Sequence, residues 1–290
     1  MNNIASIKST LDIMKKFNIS PKKNYGQNFI IDANVISNII TKANLNKEVN
    51  VIEIGPGIGA LSQYLALNAN KVLCIEIDQR LKEVLDYSLN DFDNIIVIFK
   101  DFLKCDLLSL VNEYFNDDKD IVVVANLPYY ITTPILIKLF ELATSINLKK
   151  IVAMMQKEVG QRLNANINTK EYNSLTILTQ YYTNTKLLMN ISKNIFIPQP
   201  KVDSVVIEFV FKKNNYHIND EHLFFDILRN MFNQRRKTIL NNLSNYINDK
   251  QLSSKILSDL AINVNLRPEN LSLEDYLKLS NYIKEHGYDK

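Results

Sequence analysis

Glycine, acidic and amide residues follow four successive apolar runs of this sequence. They are Gly55 and Gly57 after the first run, Glu76 at the end of the second, Asp101 after the third and Asn126 after the fourth. Glycine lets the backbone turn tightly and approach a ligand closely, while carboxylate and amide oxygens accept hydrogen bonds from hydroxyl and amino groups. Residues of these types at successive strand ends favour a crevice that binds a nucleoside-containing ligand.

The glycine-rich turn GPGIG, residues 55–59, stands between the first apolar run and a predicted helix. Such a turn brings backbone amides at a helix N-terminus close to a bound nucleotide. Glu76 follows Gly55 by about 20 residues, the separation at which an acidic residue contacts ribose hydroxyls in nucleotide-binding folds. A G-x-G-x-G turn alone is typical of many such folds, and Glu76 alone could equally be a solvated carboxylate at a strand end.

The third apolar run ends in Lys100-Asp101-Phe102. Asp101 can accept a hydrogen bond from the amino group of adenine, and Phe102 can cover a face of the same ring. Together with the glycine-rich turn and Glu76, these residues fit NAD as well as S-adenosylmethionine. The residues after the fourth run decide between the two cofactors.

Asn126-Leu127-Pro128-Tyr129 resembles the (N/D)-P-P-(Y/F/W) motif of amino-methyltransferases that act on nucleobases. The exocyclic nitrogen of adenine is a poor nucleophile because its lone pair is delocalised into the ring. Acceptors on its N–H bonds, from the Asn126 side chain and the Leu127 carbonyl, favour a more reactive, pyramidal nitrogen, and Pro128 restrains the backbone. Tyr129 would stack on the extruded base, a contact worth ~1–3 kcal/mol. A structural proline turn is the alternative interpretation.

Short β-branched runs that alternate with amphipathic segments predict the elements that position these residues. The runs are Val49–Ile54, Lys71–Ile77, Asn94–Phe99, Ile121–Ala125 and Lys150–Met155. Continuous apolar strands separated by helices indicate a parallel sheet covered on both faces. Two later runs, Lys186–Ile191 and Ser204–Phe211, predict an added pair of strands. The predicted fold class is therefore α/β, in which ligands bind outside the carboxyl ends of the strands.

Two domains are expected from the length of 290 residues, because a domain has ~150 residues on average. The α/β pattern, with an N-terminal arm, occupies residues 1–213. Residues 214–290 read as a smaller, all-helical domain. The polar stretch Lys212-Lys213-Asn214-Asn215 is the candidate linker between the two.

Composition restricts the class of protein. A hydrophobic content of 46% and a charged content of 22% are ordinary for a globular protein. The apolar runs are shorter than the ~18 residues of a membrane span, and the opening MNNIASIKSTLDIMKKF lacks an apolar signal core, so we expect a cytoplasmic protein without a membrane segment.

Cys74 and Cys105 lack metal-ligand spacing and the histidines are scattered, so we expect no metal site. The net charge of +3 does not by itself identify a nucleic-acid-binding protein.

Several ordered motifs extend over most of the chain. They are NYGQNFIID at residues 24–32, IEIGPGIGALS, EIDQRL, NLPYYITTPI, FIPQPKVDSVV at residues 196–206 and FNQRRKTILNNL at residues 232–243. Over about residues 20 to 245 the chain resembles the ribosomal RNA adenine N6-dimethyltransferases, and the resemblance is specific because the motifs agree in order. QRRKTILNNL is similar to the branch that modifies 16S rRNA, whereas the related 23S rRNA enzymes usually share only the front half.

The resemblance implies a Rossmann-like, class I S-adenosylmethionine-dependent methyltransferase domain, with S-adenosylmethionine as the cofactor. The family's cofactor contacts fall on Asn28, Ile30, Gly55, Glu76, Asp101 and Asn126 of this chain, and we add Gly57 from the glycine-rich turn. The catalytic motif falls on Asn126, Leu127, Pro128 and Tyr129, with Phe196 as a second aromatic for the other face of the target base. Tyr130 stands where the family often has Asn, which leaves its role open.

Arg235, Arg236 and Lys237 form a basic run in the predicted helical domain. A charge run on a helix is usually a solvated face. In an RNA enzyme these residues are equally plausible as contacts to phosphate groups. They are therefore the candidate RNA-binding residues.

The resemblance also implies the reaction and the partner. Two adjacent adenosines in a loop near the 3′ end of 16S rRNA would each receive two methyl groups at N6, in a precursor of the small ribosomal subunit. Separately from the resemblance, we expect a monomer. One alternative is a ribosome-assembly or transcription factor that binds RNA on the same fold without catalysis, and another is a 23S rRNA adenine-N6 methyltransferase. The glycine-rich turn, Glu76, Asp101 and NLPY favour an enzyme, because a pure RNA binder does not need all four.

Overall fold

The computed structural model describes residues 4–213 and 216–288. The strands are β1 (Phe29–Ile30), β2 (Val49–Ile54), β3 (Val72–Glu76), β4 (Ile95–Phe99), β5 (Asp120–Asn126), β6 (Leu148–Gln156), β7 (Thr183–Ile191), β8 (Phe196–Ile197) and β9 (Ser204–Phe211). The helices are α1 (Ile7–Lys16), α2 (Ala33–Ala43), α3 (Ala60–Asn68), α4 (Lys82–Leu89), α5 (Leu107–Tyr114), α6 (Thr132–Leu142), α7 (Lys157–Leu163), α8 (Ser174–Tyr182), α9 (Glu221–Asn233), α10 (Ile239–Ile247), α11 (Lys250–Asp259) and α12 (Leu273–Glu285).

The described residues form a sheet in the order β4-β3-β2-β5-β6-β9-β7. Strands β2 to β6 run parallel, and β9 pairs antiparallel with β6. The predicted α/β fold class is confirmed, and the predicted strands differ from the observed ones by a few residues at their ends. β-Branched residues explain this agreement, because Val and Ile pack well on a pleated surface that is buried on both faces.

Parallel pairing brings the predicted site residues to one edge of the sheet. The chain direction through β2, β3, β4 and β5 is the same, so their carboxyl ends lie side by side. Glu76, the last residue of β3, is opposite Phe99 at the end of β4, two residues before Asp101. Asn126 is the last residue of β5. The glycine-rich turn and these polar residues therefore project from the same edge.

A second, two-stranded sheet joins the N-terminal arm to a segment far along the chain. Phe29 is opposite Ile197 and Ile30 is opposite Phe196, in antiparallel strands β1 and β8. No sequence pattern predicts this pairing, because strands of two residues have no measurable periodicity. It fixes the arm next to the carboxyl edge of the main sheet.

The chain divides into two compact units. The first comprises Met1–Gly160 and Asn184–Phe211, and the second comprises Gln161–Thr183 and Lys212–Lys290. The second unit is helical in its described residues, as predicted. The division differs from the predicted boundary at residue 213, because residues 161–183 belong to the helical unit, and residues 214 and 215 of the candidate linker lie outside the described residues.

Burial of aromatic side chains explains why residues 161–183 belong to the helical unit. Tyr172 and Tyr181 are buried in the same apolar cluster as Phe224 of α9. The Tyr172 hydroxyl donates a hydrogen bond to the Leu271 carbonyl oxygen at 3.1 Å. Position along the chain did not reveal which hydrophobic core these rings would join. Among the described residues, no helix is both long and apolar enough to cross a membrane.

Candidate active site

A cavity lies at the carboxyl edge of the sheet in the first unit. It has about 870 Å³ of empty space, counting its open mouth. Its lining includes the predicted residues Asn28, Ile30, Gly55, Gly57, Glu76, Asp101, Asn126, Leu127, Pro128 and Tyr129. It also includes Glu53, Phe102, Tyr25 and Tyr130. The structure thus brings the cofactor-type residues and the NLPY residues to one cavity.

The glycine-rich turn forms one wall of the cavity. Its backbone has a conformation that residues other than glycine adopt only with strain. Gly55 has φ +70° and Gly57 has φ +61°, both in the left-handed region. A Cβ atom at Gly57 would lie 3.2 Å from two ring carbons of Phe29. Glycine at position 57 therefore satisfies two conditions, the left-handed turn and the close approach of the N-terminal arm.

Glu76 presents a buried carboxylate to the cavity. One oxygen accepts the Gly57 N–H at 3.1 Å and the other accepts the Asp78 N–H at 2.8 Å. The side chain is 3% exposed, and burial raises its pKa to about 6 despite these hydrogen bonds. A carboxylate has about four acceptor positions, so these two bonds orient the group and leave it able to accept from ribose hydroxyls.

Glu53 is a site residue that the sequence analysis did not single out. It lies inside β2, is 1% exposed and lines the cavity. Burial raises its pKa to about 7, a value to which the nearby charge of Glu76 also contributes. The Cys74 thiol on the neighbouring strand donates to its carboxylate at 3.4 Å. An acidic residue inside an apolar run was the signal in the sequence that could have found it.

Asp101 and Phe102 lie where β4 leaves the sheet. The Asp101 carboxylate accepts the Leu103 N–H at 3.0 Å, which fixes its orientation. Its other oxygen is 3.9 Å from the exposed ammonium of Lys104, an ion pair of little energetic weight. Phe102 is 4% exposed and lines the cavity beside Asp101. The pair offers a hydrogen-bond acceptor next to an apolar ring, which suits one edge and one face of adenine.

Polar contacts hold the N-terminal arm against the cavity. Gln27 donates from its side-chain amide to Asp78 at 2.9 Å, and Asn126 donates from its side-chain amide to the Asn28 carbonyl at 3.2 Å. Burial acts to raise the pKa of Asp78, but hydrogen bonds from Arg80 and Gln27 outweigh it, so that the pKa is lowered and the group stays ionised. The arm is thus tied both to the loop after β3 and to the end of β5.

The turn after β5 is held in place on both sides. The Leu127 N–H donates to the Met154 carbonyl at 3.0 Å, and the Thr132 hydroxyl donates to the Pro128 carbonyl at 3.0 Å. The side-chain nitrogen of Asn126 donates to the arm, so the acceptor of this side chain is its Oδ1 oxygen. The Tyr129 hydroxyl shares a 2.6 Å hydrogen bond with Ser204, and burial raises the pKa of Tyr129 above its usual value. The Tyr129 ring is therefore fixed at the cavity wall.

Phe196 and Tyr130 differ from the other aromatic residues near the site. Phe196 pairs with Ile30, is 2% exposed and packs in the main hydrophobic core. Among the described residues, those that line the cavity do not include Phe196, and its stacking on a target base stays a prediction. Tyr130 lines the cavity with 52% of its surface exposed, and its ring packs against the backbone of Gly26.

The three candidate RNA-binding residues are not equivalent. Arg235 is partly buried, and its guanidinium donates to the Tyr172 carbonyl oxygen at 3.0 Å within the helical unit. Arg236 and Lys237 are exposed. Arg235 therefore has a structural contact that the sequence did not reveal, whereas the side chains of its two neighbours face solvent.

The sheet, the glycine-rich turn and the acidic strand ends define the class of the first unit as a Rossmann-like fold that binds a nucleoside cofactor. Similarity to known proteins agrees with this class. The model of the ribosomal RNA adenine dimethylase family matches residues 18–285. The ribosomal RNA small subunit methyltransferase A of Bacillus cereus strain B4264 is 47% identical over 291 aligned positions, covering 99% of each chain. The protein of the same name from Bacillus mycoides is also 47% identical with the same coverage.

Solved structures give the same result. A dimethyladenosine transferase from Plasmodium falciparum matches with TM-score 0.74 and 27% identity, over 89% of this chain and 98% of the other. The 23S rRNA methyltransferase ErmE matches with TM-score 0.63 and 23% identity, over 89% of this chain and 100% of the other, and shows the fold alone. The chain belongs to the ribosomal RNA adenine dimethylase family. The predicted family, fold class and enzyme class are confirmed.

Proposed function

We propose that this protein uses S-adenosylmethionine to dimethylate the N6 amino groups of two adjacent adenosines in a loop near the 3′ end of 16S rRNA, on a precursor of the small ribosomal subunit. One observation carries the proposal. The Asn126–Tyr129 turn lines the same cavity as Glu76 and Asp101, so residues suited to a target amine and residues suited to an adenosyl cofactor face one space. The bacterial relatives are ribosomal RNA small subunit methyltransferases by name, which supports the small subunit as the substrate.

The cavity residues fit the adenosyl part of this cofactor. The Glu76 carboxylate is oriented by two backbone amides and can accept both ribose hydroxyls. Asp101 can accept the adenine amino group while Phe102 covers the ring. Gly57 keeps the turn free of a side chain where the arm and a ligand approach it. Bound in this way, S-adenosylmethionine supplies an electrophilic methyl group on a sulfonium centre.

The residues after β5 then act on the target base. The Asn126 side-chain oxygen and the Leu127 carbonyl accept hydrogen bonds from the two N–H groups of the adenine amine. These two bonds favour a pyramidal nitrogen with an available lone pair. Pro128 restrains the backbone so that both acceptors converge. Tyr129, whose hydroxyl is held by Ser204, stacks on the extruded base. After methyl transfer the amine loses one proton to water, which prepares it for the second transfer.

The helical unit supplies contacts to the RNA backbone in this proposal. The exposed Arg236 and Lys237 can neutralise phosphate groups, whereas Arg235 supports the loop that carries them through its bond to Tyr172. A substrate of this kind places the enzyme in the cytoplasm.

The proposal is tested by methyl transfer to purified ribosomal subunits. The protein is incubated with methyl-labelled S-adenosylmethionine and either small subunits that lack the modification or large subunits as a control, and the RNA is digested to nucleosides. We expect label in N6,N6-dimethyladenosine from the small subunit only. Label recovered from the large subunit would show that the substrate is 23S rRNA. Absence of label from both, with a protein that binds the cofactor, would contradict catalysis.

The Asn126→Ala variant provides the matched control for this assay. It removes the side-chain acceptor of the target amine and the bond from Asn126 to the Asn28 carbonyl, but it leaves the Leu127 carbonyl and the Tyr129 ring unchanged. We expect folded protein, measured by circular dichroism, with turnover lowered at least ~100-fold, as for removal of one positioned donor or acceptor in an active site. Unchanged turnover would remove the catalytic role of Asn126.

A further inference from the structure

A single lysine binds three backbone carbonyl groups of the loop that follows β4. The Lys138 ammonium donates to the carbonyl oxygens of Phe102, Leu103 and Cys105 at 2.7, 3.2 and 2.6 Å. The same nitrogen lies 5.2 Å from the centroid of the Phe102 ring. An ammonium has three N–H donors, so this loop uses the full hydrogen-bonding capacity of the side chain.

The loop at residues 101–105 is a tight turn that needs such a cation. The N–H groups of Lys104 and Cys105 both donate to the Asp101 carbonyl at 3.0 Å, and the Asp101 carboxylate accepts the Leu103 N–H. These bonds fold the backbone so that three further carbonyl oxygens point to one place. Carbonyl dipoles that converge repel each other, and a positive charge among them converts that repulsion into charge-assisted hydrogen bonds.

Lys138 also connects this loop with the catalytic turn. It lies on α6, which begins at Thr132 directly after the NLPYY residues. The Thr132 hydroxyl bonds the Pro128 carbonyl at 3.0 Å. One helix is therefore bonded at its first residue to the catalytic turn and, about two turns later, to the loop that carries Asp101 and Phe102. Lys138 itself lies outside the residues that line the cavity.

We propose that Lys138 is a positioning residue for cofactor binding, which holds Asp101 and Phe102 at the adenine end of the cavity through the loop carbonyls. The inference rests on the proposed function, since it needs an adenosyl ligand in that cavity. Part of the affinity for the adenine ring then depends on Lys138, a side chain outside the cavity. It also gives α6 a second role beside that of supporting the catalytic turn.

The test compares cofactor affinity in variants of the full-length protein by isothermal titration calorimetry. Lys138→Met removes the charge and all three donors while keeping an unbranched apolar stem. We expect the Kd for S-adenosylmethionine and for S-adenosylhomocysteine to rise roughly tenfold, about 1.4 kcal/mol. The kcat at saturating cofactor should change less than about twofold. Lys138→Arg, whose guanidinium also donates to carbonyls, should recover most of the affinity.

Lys47 offers a matched control. Its ammonium donates to the carbonyl oxygens of Ala66 and Ala69 at 2.8 Å each, at the end of α3 away from the cavity-lining Ala60 and Leu61. Lys47→Met should lower the melting temperature without changing the Kd for either ligand. A loss of affinity in this control equal to that in Lys138→Met would show a general effect on stability and would overturn the inference.

A double-mutant cycle with Asp101→Ala separates the inference from the proposed function. If Lys138 acts through the loop, Lys138→Met should weaken binding by a smaller factor in the Asp101→Ala background than in the wild type. Wild-type affinity in Lys138→Met, together with weakened binding in Asp101→Ala, would overturn the inference and leave the proposed function standing. Failure of the wild type to bind S-adenosylmethionine would overturn both.

A second variant keeps the test decisive if Lys138→Met does not fold. Lys138→Gln retains two donors but no charge, and it should fold with a Kd raised several-fold. Wild-type affinity in Lys138→Gln would overturn the inference, because one charged group bonded to three carbonyls would then be unnecessary for cofactor binding.

Discussion

Two buried carboxyl groups, Glu53 and Glu76, lie on the neighbouring strands β2 and β3 beneath the glycine-rich turn. Burial raises the pKa of Glu53 to about 7 and that of Glu76 to about 6. Glu76 is the group whose oxygens already accept two backbone N–H bonds at the cavity wall. A ligand that donates further hydrogen bonds to this carboxylate favours its ionised form, so binding and proton release are linked.

The first prediction concerns the pH dependence of cofactor binding. Because the pKa of Glu76 is raised to about 6, the free protein holds a proton there at lower pH, and ribose hydroxyls must compete with it. The Kd for S-adenosylhomocysteine should fall by up to ~10-fold as pH rises from about 5 to 7, with proton release on binding. Calorimetry in buffers of different ionisation enthalpy measures both quantities.

Glu76→Gln is the control for this prediction. The variant cannot ionise at position 76, so it should bind more weakly and lose most of the pH dependence, with a remainder from Glu53. The same pH dependence in the variant as in the wild type would show that Glu76 is not the group linked to binding.

The second prediction concerns the ring and the hydroxyl of Tyr129. Its hydroxyl is anchored to Ser204 at 2.6 Å while its ring lines the cavity. Tyr129→Ala removes the stacking surface and should lower kcat/KM for the small subunit by about 5- to 150-fold, equivalent to ~1–3 kcal/mol. Tyr129→Phe keeps the ring and should lose only a few-fold. An equal loss in both variants, measured by single-turnover methyl transfer, would assign the effect to the hydroxyl instead.

At the scale of elements, the N-terminal arm and the glycine-rich turn depend on each other. Strand β1 places Phe29 over Gly57, where a Cβ atom would lie 3.2 Å from the ring. The arm is further tied by the bonds from Gln27 to Asp78 and from Asn126 to Asn28. A side chain at position 57 would displace either the arm or the turn, and both line the cavity.

The third prediction compares two glycines of similar backbone geometry. Gly57 has φ +61° against the Phe29 ring, and Gly287 has φ +66° with no atom within 4 Å of a Cβ placed there. Gly287→Ala should cost ~1–2 kcal/mol of unfolding free energy for the left-handed backbone alone. Gly57→Ala should cost more and should also raise the Kd for the cofactor more than tenfold. Chemical denaturation and calorimetry measure the two effects, and equal costs without loss of binding would contradict the coupling of arm and turn.

The elements that the sequence predicted well are those with strong local patterns. The runs Val49–Ile54 and Ser204–Phe211 were predicted with the bounds that the structure gives, because continuous β-branched residues need burial on both faces. The glycine-rich turn and the polar strand ends reached one cavity because parallel strands align their carboxyl ends. The pairing of β1 with β8 and the bonds of Lys138 join residues far apart in sequence, and no local pattern reveals such contacts.

The same limit applies to single residues. Phe196 is predicted as a second stacking ring from the family motif, and the structure adds a contact that the motif does not show, its pairing with Ile30 in the core. Arg235 read as part of a basic face, but its guanidinium bonds the Tyr172 carbonyl. Residue type indicated what each side chain is able to do, and only the fold shows which contacts each one makes.

At the scale of the whole molecule, the two compact units carry different parts of the proposed reaction. The first unit contains every residue of the cavity lining. The second contains the exposed Arg236 and Lys237 and the partly buried Arg235. Contacts to phosphate groups position an RNA without reading its sequence, so changes to the exposed pair should alter substrate affinity and leave cofactor binding unchanged.

The fourth prediction tests this division of roles. The double variant Arg236→Ala with Lys237→Ala should bind small subunits more weakly and should reduce the slope of log K against log salt by about 1 to 2. Its Kd for S-adenosylmethionine should equal that of the wild type. Arg235→Ala should instead lower the melting temperature, because it removes the bond to the Tyr172 carbonyl. An unchanged salt slope in the double variant, measured by filter binding, would exclude the pair as phosphate contacts.

The most direct test of the whole account is to map methylated adenines in ribosomal RNA after reaction with the purified protein. Unmodified small subunits are incubated with the enzyme and S-adenosylmethionine, and 16S rRNA fragments are analysed by mass spectrometry. We predict two adjacent N6,N6-dimethyladenosines in one loop near the 3′ end, formed by the wild type and absent with Asn126→Ala. Methylation at scattered adenines, at a position other than N6, or to the same extent with Asn126→Ala would contradict the account.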